Sequence, residues 1–428
     1  MRSLKSKWNW VLASSVLLAC AGLRAEDWPQ YRGPRGDGIS REKGLAKSWP
    51  AGGPAKVWSV PVGIGHASPI AVDGKIYLFT RDEEKNAEVL QALDAATGNE
   101  LWSQSYVGGY RNNNVEWRGT RATPVVEGDR IYTYGAEGNL VSRNLADGKE
   151  IWSLNVVKET KAEPIQWGEA SSPLIVGDVI FVQGGRGQSA PVAAAIGKNS
   201  GKIAWQSEAR GAAKGKAGWP TGGGYANIIE VEAAGGKQLI VFGGTALYGM
   251  DPATGKTLWQ EEWVTDYDIN ATTPLYQVPN LLVSSGYGHG CMMLELSATG
   301  ARKLWESKDA LQDKFPGPVL DRGVIYGNSE GIIECLNWPD GKVLWTAKGP
   351  ADRIGFGGSF VRVGDDLIAL GDHGKLLLMH ATPEGYKVVS SVKKVTQGTN
   401  LWSTPLIYRG RLYVKGHDEL VCLDIGGK

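Results

Sequence analysis

From about residue 56 onward the chain is a succession of short apolar runs with alternating polar positions, separated by glycine-bearing turns. That pattern predicts short β-strands rather than helices. The runs fall into sets of four, a to d. Each set opens on a Ser/Thr-Pro pair or a close equivalent, as in Thr123-Pro124-Val125-Val126 and Thr404-Pro405-Leu406-Ile407. Tight Gly-Asp, Asp-Gly or Arg-Gly turns join a to b. A turn such as Gly135-Ala136-Glu137-Gly138 joins b to c, and an Asp-x-x-Thr-Gly turn joins c to d. Asp94-Ala95-Ala96-Thr97-Gly98-Asn99-Glu100-Leu101-Trp102 recurs as Asp251-Pro252-Ala253-Thr254-Gly255-Lys256-Thr257-Leu258-Trp259. Tryptophans at 58, 102, 152, 205, 259, 305 and 345 stand 44, 50, 53, 54, 46 and 40 residues apart, and a further 44 reaches Val389. Four strands in each unit of roughly 47 residues predict a β-propeller.

Strand starts at Pro69, Pro124, Pro173, residues 224–226, Pro274, Pro318, residues 358–360 and Pro405 mark eight units. The last unit stops at Asp424-Ile425-Gly426-Gly427-Lys428, where its d-strand is due. An orphan d-like strand, Lys56-Val57-Trp58-Ser59-Val60, precedes the first. An open ring would expose two sheet edges, and lending residues 56–62 to the last blade removes both. The expected fold is therefore all-β, an eight-bladed β-propeller of four-stranded antiparallel blades closed by the N-terminal strand, with seven blades as the alternative. The expected boundaries are residues 1–25 for a signal peptide, 26–55 for an N-terminal extension and 56–428 for the propeller.

The repeated motif has a local physical meaning. Asp and Thr side chains close the c–d turn, Gly takes its left-handed position, and Trp fills the space between adjacent blades. The residues expected in these structural roles are Asp94, Thr97, Gly98, Trp102, Trp152, Trp205, Asp251, Thr254, Gly255, Trp259, Trp305 and Trp345. Ala-x-Asp-x-x-Thr-Gly-x-x-x-Trp resembles the tryptophan-docking motif of the PQQ-binding-like, quinoprotein-dehydrogenase-like propellers. Ala92, Asp94, Thr97, Gly98 and Trp102 match it fully, and the second copy departs only at Gly249. The start Asp27-Trp28-Pro29-Gln30-Tyr31-Arg32-Gly33-Pro34 is similar to that of secreted bacterial members. The resemblance implies one of two functions. Some such propellers are dehydrogenases holding pyrroloquinoline quinone (PQQ) and calcium over the propeller centre. Others, like the outer-membrane assembly lipoprotein of this fold, are non-catalytic scaffolds. The dehydrogenases typically stack the quinone against a pair of adjacent cysteines, and no adjacent cysteines occur here.

Composition narrows the classes further. Glycine at 59 of 428 residues suits a turn-rich β-protein, and 46 basic against 45 acidic side chains give no electrostatic case for nucleic acid. Arg2, Lys5 and Lys7 followed by an apolar run from Trp8 to Ala19 predict export. Two cleavage readings stand side by side. Cutting after Ala25 leaves Glu26 as the first residue, whereas Leu17-Leu18-Ala19-Cys20 resembles a lipobox that would leave Cys20 lipidated. The protein is then expected outside the cytoplasm, periplasmic or extracellular, meeting a membrane only through that lipid. Of the remaining cysteines, Cys335 and Cys422 fall where the first repeat has Ala92, so they are expected to be small core residues.

Strand alternation puts the d–a and b–c loops on one face and the Asp-x-x-Thr-Gly turns on the other. The long d–a loops carry the polar and aromatic stock from which ligand sites are made. The candidate ligand-binding residues are Arg111, Asn113, Trp117, Arg118, Trp167, Glu169, Asp268, Asn270, His289, Arg353 and Trp402. Indoles with a few charged groups suit a polar ligand with a flat or sugar-like face; the plain alternative is loop packing. Asp266-x-Asp268-x-Asn270 has the opening spacing of a calcium loop, but Ala271 and Gln277 stand where an EF-hand needs Gly and Glu. The expected function is a monomeric exported propeller that binds a small polar ligand or another exported protein without catalysis. The alternative is a PQQ-dependent oxidoreductase acting on an alcohol or sugar.

Overall fold

The computed structural model describes residues 26–110, 117–187, 189–208 and 222–427. Its strands form eight antiparallel sheets of four repeat strands each, placed as the sequence predicts. Blade 1 comprises Ile70–Val72, Lys75–Asp82, Ala87–Asp94 and Glu100–Val107. Blades 2 to 7 follow over residues 125–155, 174–206, 229–262, 275–307, 319–346 and 359–392. The eighth is closed across the chain ends. Ala55–Pro61 pairs antiparallel with Glu419–Asp424, bringing Trp58 opposite Cys422. The edge that an open ring would leave is thereby covered.

Burial explains why the strands differ in sequence. Strands b and c are covered on both faces, so they read as unbroken apolar runs such as Ile76–Phe79 and Leu376–Leu378. The outer d-strands alternate, as along Glu100–Val107. In blade 1, Asp94 Oδ1 accepts from Ala96 N, Thr97 N and Thr97 Oγ1 at 3.0, 2.8 and 2.9 Å. Gly98 takes φ +77°, and a Cβ there would lie 2.9 Å from the Trp58 ring. The turn glycine thus supplies both a left-handed backbone and a flat landing for the indole of the preceding blade. Trp102, Trp152, Trp205 and Trp305 lie in the same way against Gly148, Gly201, Gly255 and Gly341. Strand c always places one residue opposite this indole. Ala92, Ser142, Ala195, Cys335 and Cys422 hold that place against Trp102, Trp152, Trp205, Trp345 and Trp58. All five are buried, which accounts for the two cysteines.

Trp259 corrects one expectation. It does not bridge to the next blade but folds back over its own strand c, where a Cβ on Gly249 would come within 2.0 Å of its Nε1. That nitrogen donates to Gln238 Oε1 at 2.8 Å, and the Gln238 amide donates onward to Ser297 O and Ala298 O of blade 5. The c–d turn of blade 5, residues 297–300, offers no landing, since its Gly300 meets no indole. Gln238 makes the inter-blade contact instead.

The segment before the closing strand fills the central channel. Trp28 N and O pair with Ala71 O and N, Pro29 O accepts from Val126 N, and Ile39–Ser40 adds a parallel strand to Ser359–Val363. These partners are the free inner edges of the a-strands, which the segment caps. Arg32 is buried and donates to Gly36 O, Asp37 O, Pro316 O and Pro318 O, tying the segment to blade 6. The chain then crosses the a–b face, where the Glu42 carboxylate accepts from Arg409 N and Gly410 N, before entering blade 8.

Candidate functional site

The Ser/Thr-Pro strand starts form a ring around the channel. Thr404 N donates to Ser68 Oγ (2.9 Å), Ser68 N to Thr123 Oγ1 (3.0 Å), Thr123 N to Ser172 Oγ (2.9 Å) and Ser172 N to Asn227 Oδ1 (2.6 Å). Asn227 Nδ2 then donates to Thr273 Oγ1 at 3.0 Å. The starts of blades 8, 1, 2 and 3 are therefore each fixed by a side chain of the next blade. Blade 6 has Gly317 at this place, and Arg32 of the channel segment comes in beside it.

Above the ring, on the d–a face, lies a cavity of about 320 Å³. Its wall is chiefly aromatic, with Trp117, Trp167, Tyr225, Tyr287, Phe315 and Trp402 contributed by successive loops. Tyr31 enters from the channel segment. The Tyr31 hydroxyl is held by Pro316 O at 2.7 Å. Trp117 meets Trp167 edge to face at 5.5 Å, while Trp402 stacks on His66 at 4.5 Å and tilts against Phe315 at 4.6 Å. Such preset rings meet a ligand with little ordering cost. Arg121 and Lys314 also line the cavity. Burial lowers the Arg121 guanidinium to about 10 and brings the Lys314 ammonium down as well.

Three of the expected ligand-binding residues, Trp117, Trp167 and Trp402, share this wall. The others lie elsewhere. Arg118 is paired with Glu83. Glu169 is fully buried, its Oε1 accepting from Ile165 N at 3.1 Å, and burial pushes its carboxyl up to about 8. Asp268 is buried outside the wall, although the next residue, Ile269, lines it. The Asn270 amide is a loop clamp, donating to Gly243 O, Gly244 O and Trp263 O while its carbonyl accepts from Ser285. Asn270, the third residue of the Asp266-x-Asp268-x-Asn270 spacing, is thus engaged by the loops around it, and among the described residues no group of three His, Cys, Asp or Glu side chains comes together. His289 packs its ring on Trp263 at 4.4 Å. Arg353 borders a separate cleft of about 290 Å³ between blades 6 and 7. Arg111, Asn113 and Cys20 lie outside the described residues.

Sequence reading missed Tyr31, His66, Arg121, Tyr225, Tyr287, Lys314 and Phe315 in the wall. A signal for several of them existed: His66, Arg121 and Phe315, like the expected Trp402, each stand three residues before a strand-start proline.

Eight four-stranded blades, seven of them carrying the repeat tryptophan, around a channel with a ligand-sized mouth define a PQQ-like repeat propeller. Sequence comparison gives the family: a model described as outer membrane protein assembly factor BamB matches residues 49–222 and 85–347, and the chain belongs to that family. BamB of Salmonella typhimurium is 24% identical over 353 residues, covering 71% of this chain and 83% of that protein. BamB of Escherichia coli K12 is 23% identical over 354 residues, with the same coverages of 71% and 83%. Among solved structures, BamB from Moraxella catarrhalis superposes with a TM-score of 0.57 at 15% identity, covering 86% of this chain and 96% of that one. A europium-containing methanol dehydrogenase gives 0.66 at 13% identity, covering 91% and 89%. At these identities the structural likeness speaks for the fold alone.

Proposed function

We propose that this chain is an exported, non-catalytic propeller that works as a binding and scaffolding module, recognising a ligand or protein partner at its d–a face. One observation carries the reading: the channel is filled from below by the chain's own segment and opens above into an aromatic cavity. A closed floor and rigid aromatic walls suit capture of a ligand or of a partner's protruding side chains. Membership of the BamB family supports a scaffolding role among exported assembly proteins, with Cys20 as the anchor if it is lipidated. The decisive experiment is in-cell photo-crosslinking. A benzophenone amino acid at position 117 should give discrete adducts, while the same group at Lys256, on the opposite face, should not. Equal labelling from both, or none from position 117, would overturn the assignment of the face.

The oxidoreductase alternative depends on a quinone paired with calcium, and the residues do not fit that pair. Among the described residues no carboxylate lines the cavity, and Cys291, Cys335 and Cys422 are buried in the blades. Purified protein supplied with PQQ and calcium should reduce no dye with alcohols or aldoses; turnover requiring both would refute the non-catalytic reading.

A further inference from the structure

Among the described residues, the charged side chains of the cavity wall are of one sign. Arg121 and Lys314 line it, and among the described residues no Asp or Glu does. Arg121 donates to Gly119 O and Trp117 O at 3.0 and 2.6 Å, and its guanidinium lies 5.2 Å from the centre of the Tyr110 ring. Carbonyls and a ring orient this cation but do not neutralise it. The Lys314 ammonium sits among three rings, 4.1 Å from the centre of Tyr287, 5.1 Å from Phe356 and 5.5 Å from Phe315. It makes no ion pair among the described residues. Glu330 and Asp372 act on it only from beyond contact, and each already accepts backbone N–H groups, from Tyr287 and Gly357 respectively. A half-buried cation without a contacting counter-ion carries part of the desolvation cost of a buried charge, which an arriving anion offsets. The lowered affinity of both groups for their protons has the same origin, since burial is its first cause.

The remaining wall is chiefly aromatic, with Ser68, Thr123, Ser172, Asn227 and Asn400 as its polar positions, so the anion must carry a face that rings can cover. We infer that the cavity binds a carboxylate borne on a ring whose face aromatic side chains can cover, either an aryl carboxylate or a uronic-acid sugar, with the carboxylate drawn to Lys314 and Arg121 and the ring against the indoles. A volume of about 320 Å³ lies at the small end of ligand pockets, which limits the bound part to a small molecule or the end of a chain. This inference rests on the reading that the d–a face is the recognition face.

The test uses the purified mature chain and four probes: 2-naphthoate and 2-naphthamide, D-glucuronate and D-glucose. Binding is followed by calorimetry and by saturation-transfer NMR. At least one acid should bind about tenfold or more tightly than its neutral partner, the usual worth of a charge-assisted contact. Whichever acid binds identifies the source of the carboxylate. Lys314→Met should remove most of that advantage, and Lys314→Arg should keep it. If the neutral partners bind as tightly as the acids and Lys314→Met changes neither, the charge assignment is wrong although the cavity is still a site. If none of the four binds, the ligand class is wrong, and the recognition face is judged separately by crosslinking at position 117.

Discussion

Gly249 tests the account of how the blades are joined, because two ways of reasoning give opposite signs there. The first repeat has Ala92 at this place, so a repeat-consensus argument favours Gly249→Ala. The backbone allows it, since Gly249 does not have a positive φ, and replacing a compatible glycine stabilises by about 0.4–1 kcal/mol through the unfolded chain. The structure argues otherwise. The new Cβ would meet Trp259 at 2.0 Å from Nε1 and 2.2 Å from Cε2, so the indole must leave. Ala92 is tolerated because Trp102 lies outward on Gly148, but Trp259 has no such landing on the short turn of blade 5. Overpacking costs about 1–3 kcal/mol. Stranding Gln238 Oε1, on a side chain 1% exposed, costs about 1–3 kcal/mol more. The net expectation is destabilisation by about 2–4 kcal/mol. Thermal unfolding followed by circular dichroism at a fixed scan rate reads it, and the native tryptophan emission should shift to the red. In a Trp259→Phe background the same substitution should cost under about 1 kcal/mol, because the ring that clashes is smaller. A Gly249→Ala protein as stable as the parent, or more so, would refute the reasoning.

Three further outcomes follow from the same structure. A chain starting at Gly63 lacks the closing strand and should aggregate, whereas one starting at residue 51 keeps the closure and should stay soluble but unfold earlier; gel filtration and melting distinguish them, and a soluble, cooperatively melting chain from Gly63 would disprove closure. Arg32→Met should destabilise by about 2–4 kcal/mol, since Pro316 O and Pro318 O lose a buried donor, and should speed proteolysis within residues 27–40. Glu169, pushed up to about 8 from 4.5, keeps its proton in the folded chain and loses it in the unfolded one at intermediate pH. Its contribution is therefore complete below pH 4.5 and is lost as pH rises toward 8. Asp313, raised to about 7 by burial, has the same sign over the lower part of that range. The parent should lose up to about 3 kcal/mol more between pH 5 and 7 than Glu169→Gln does, and equal slopes in urea titrations would contradict the assignment.

The blades were legible because each is a local unit. The apolar runs of strands b and c, the Asp-x-x-Thr-Gly turns and the spaced tryptophans all arise from contacts repeated at nearly constant separation, and the orphan strand at Trp58 follows from counting. Trp259 escaped this reasoning because its motif is intact although its indole lies back over Gly249 and donates to Gln238 of its own blade. Residues 27–40 escaped it for another reason. Their partners are free inner edges from blades 1, 2, 6 and 7, and no repeat register predicts which edges a single non-repeated segment will cap.

The cavity was legible in part, and the register shows why. Residues one before each strand start make the hydroxyl ring, whereas those three before it face the cavity: His66, Arg121, Ala170, Ala271, Phe315 and Trp402 before prolines, and Tyr225 before Ile228. In blade 7 the equivalent position is Gly357, as Val363 and Val72 hold the same place before their a–b turns. A Cβ on Gly357 would come within 2.0 Å of Trp402 Cδ1, so the bare glycine makes room for the neighbouring indole. Choosing residues for their chemistry drew in Glu169 and Asn270, whose polar groups hold loops together, and His289, whose ring packs on Trp263. Choosing by register would have added His66, Arg121, Tyr225 and Phe315 to the wall, because in a propeller the position before strand a decides what a side chain faces, and only afterwards does its chemistry decide what it can bind.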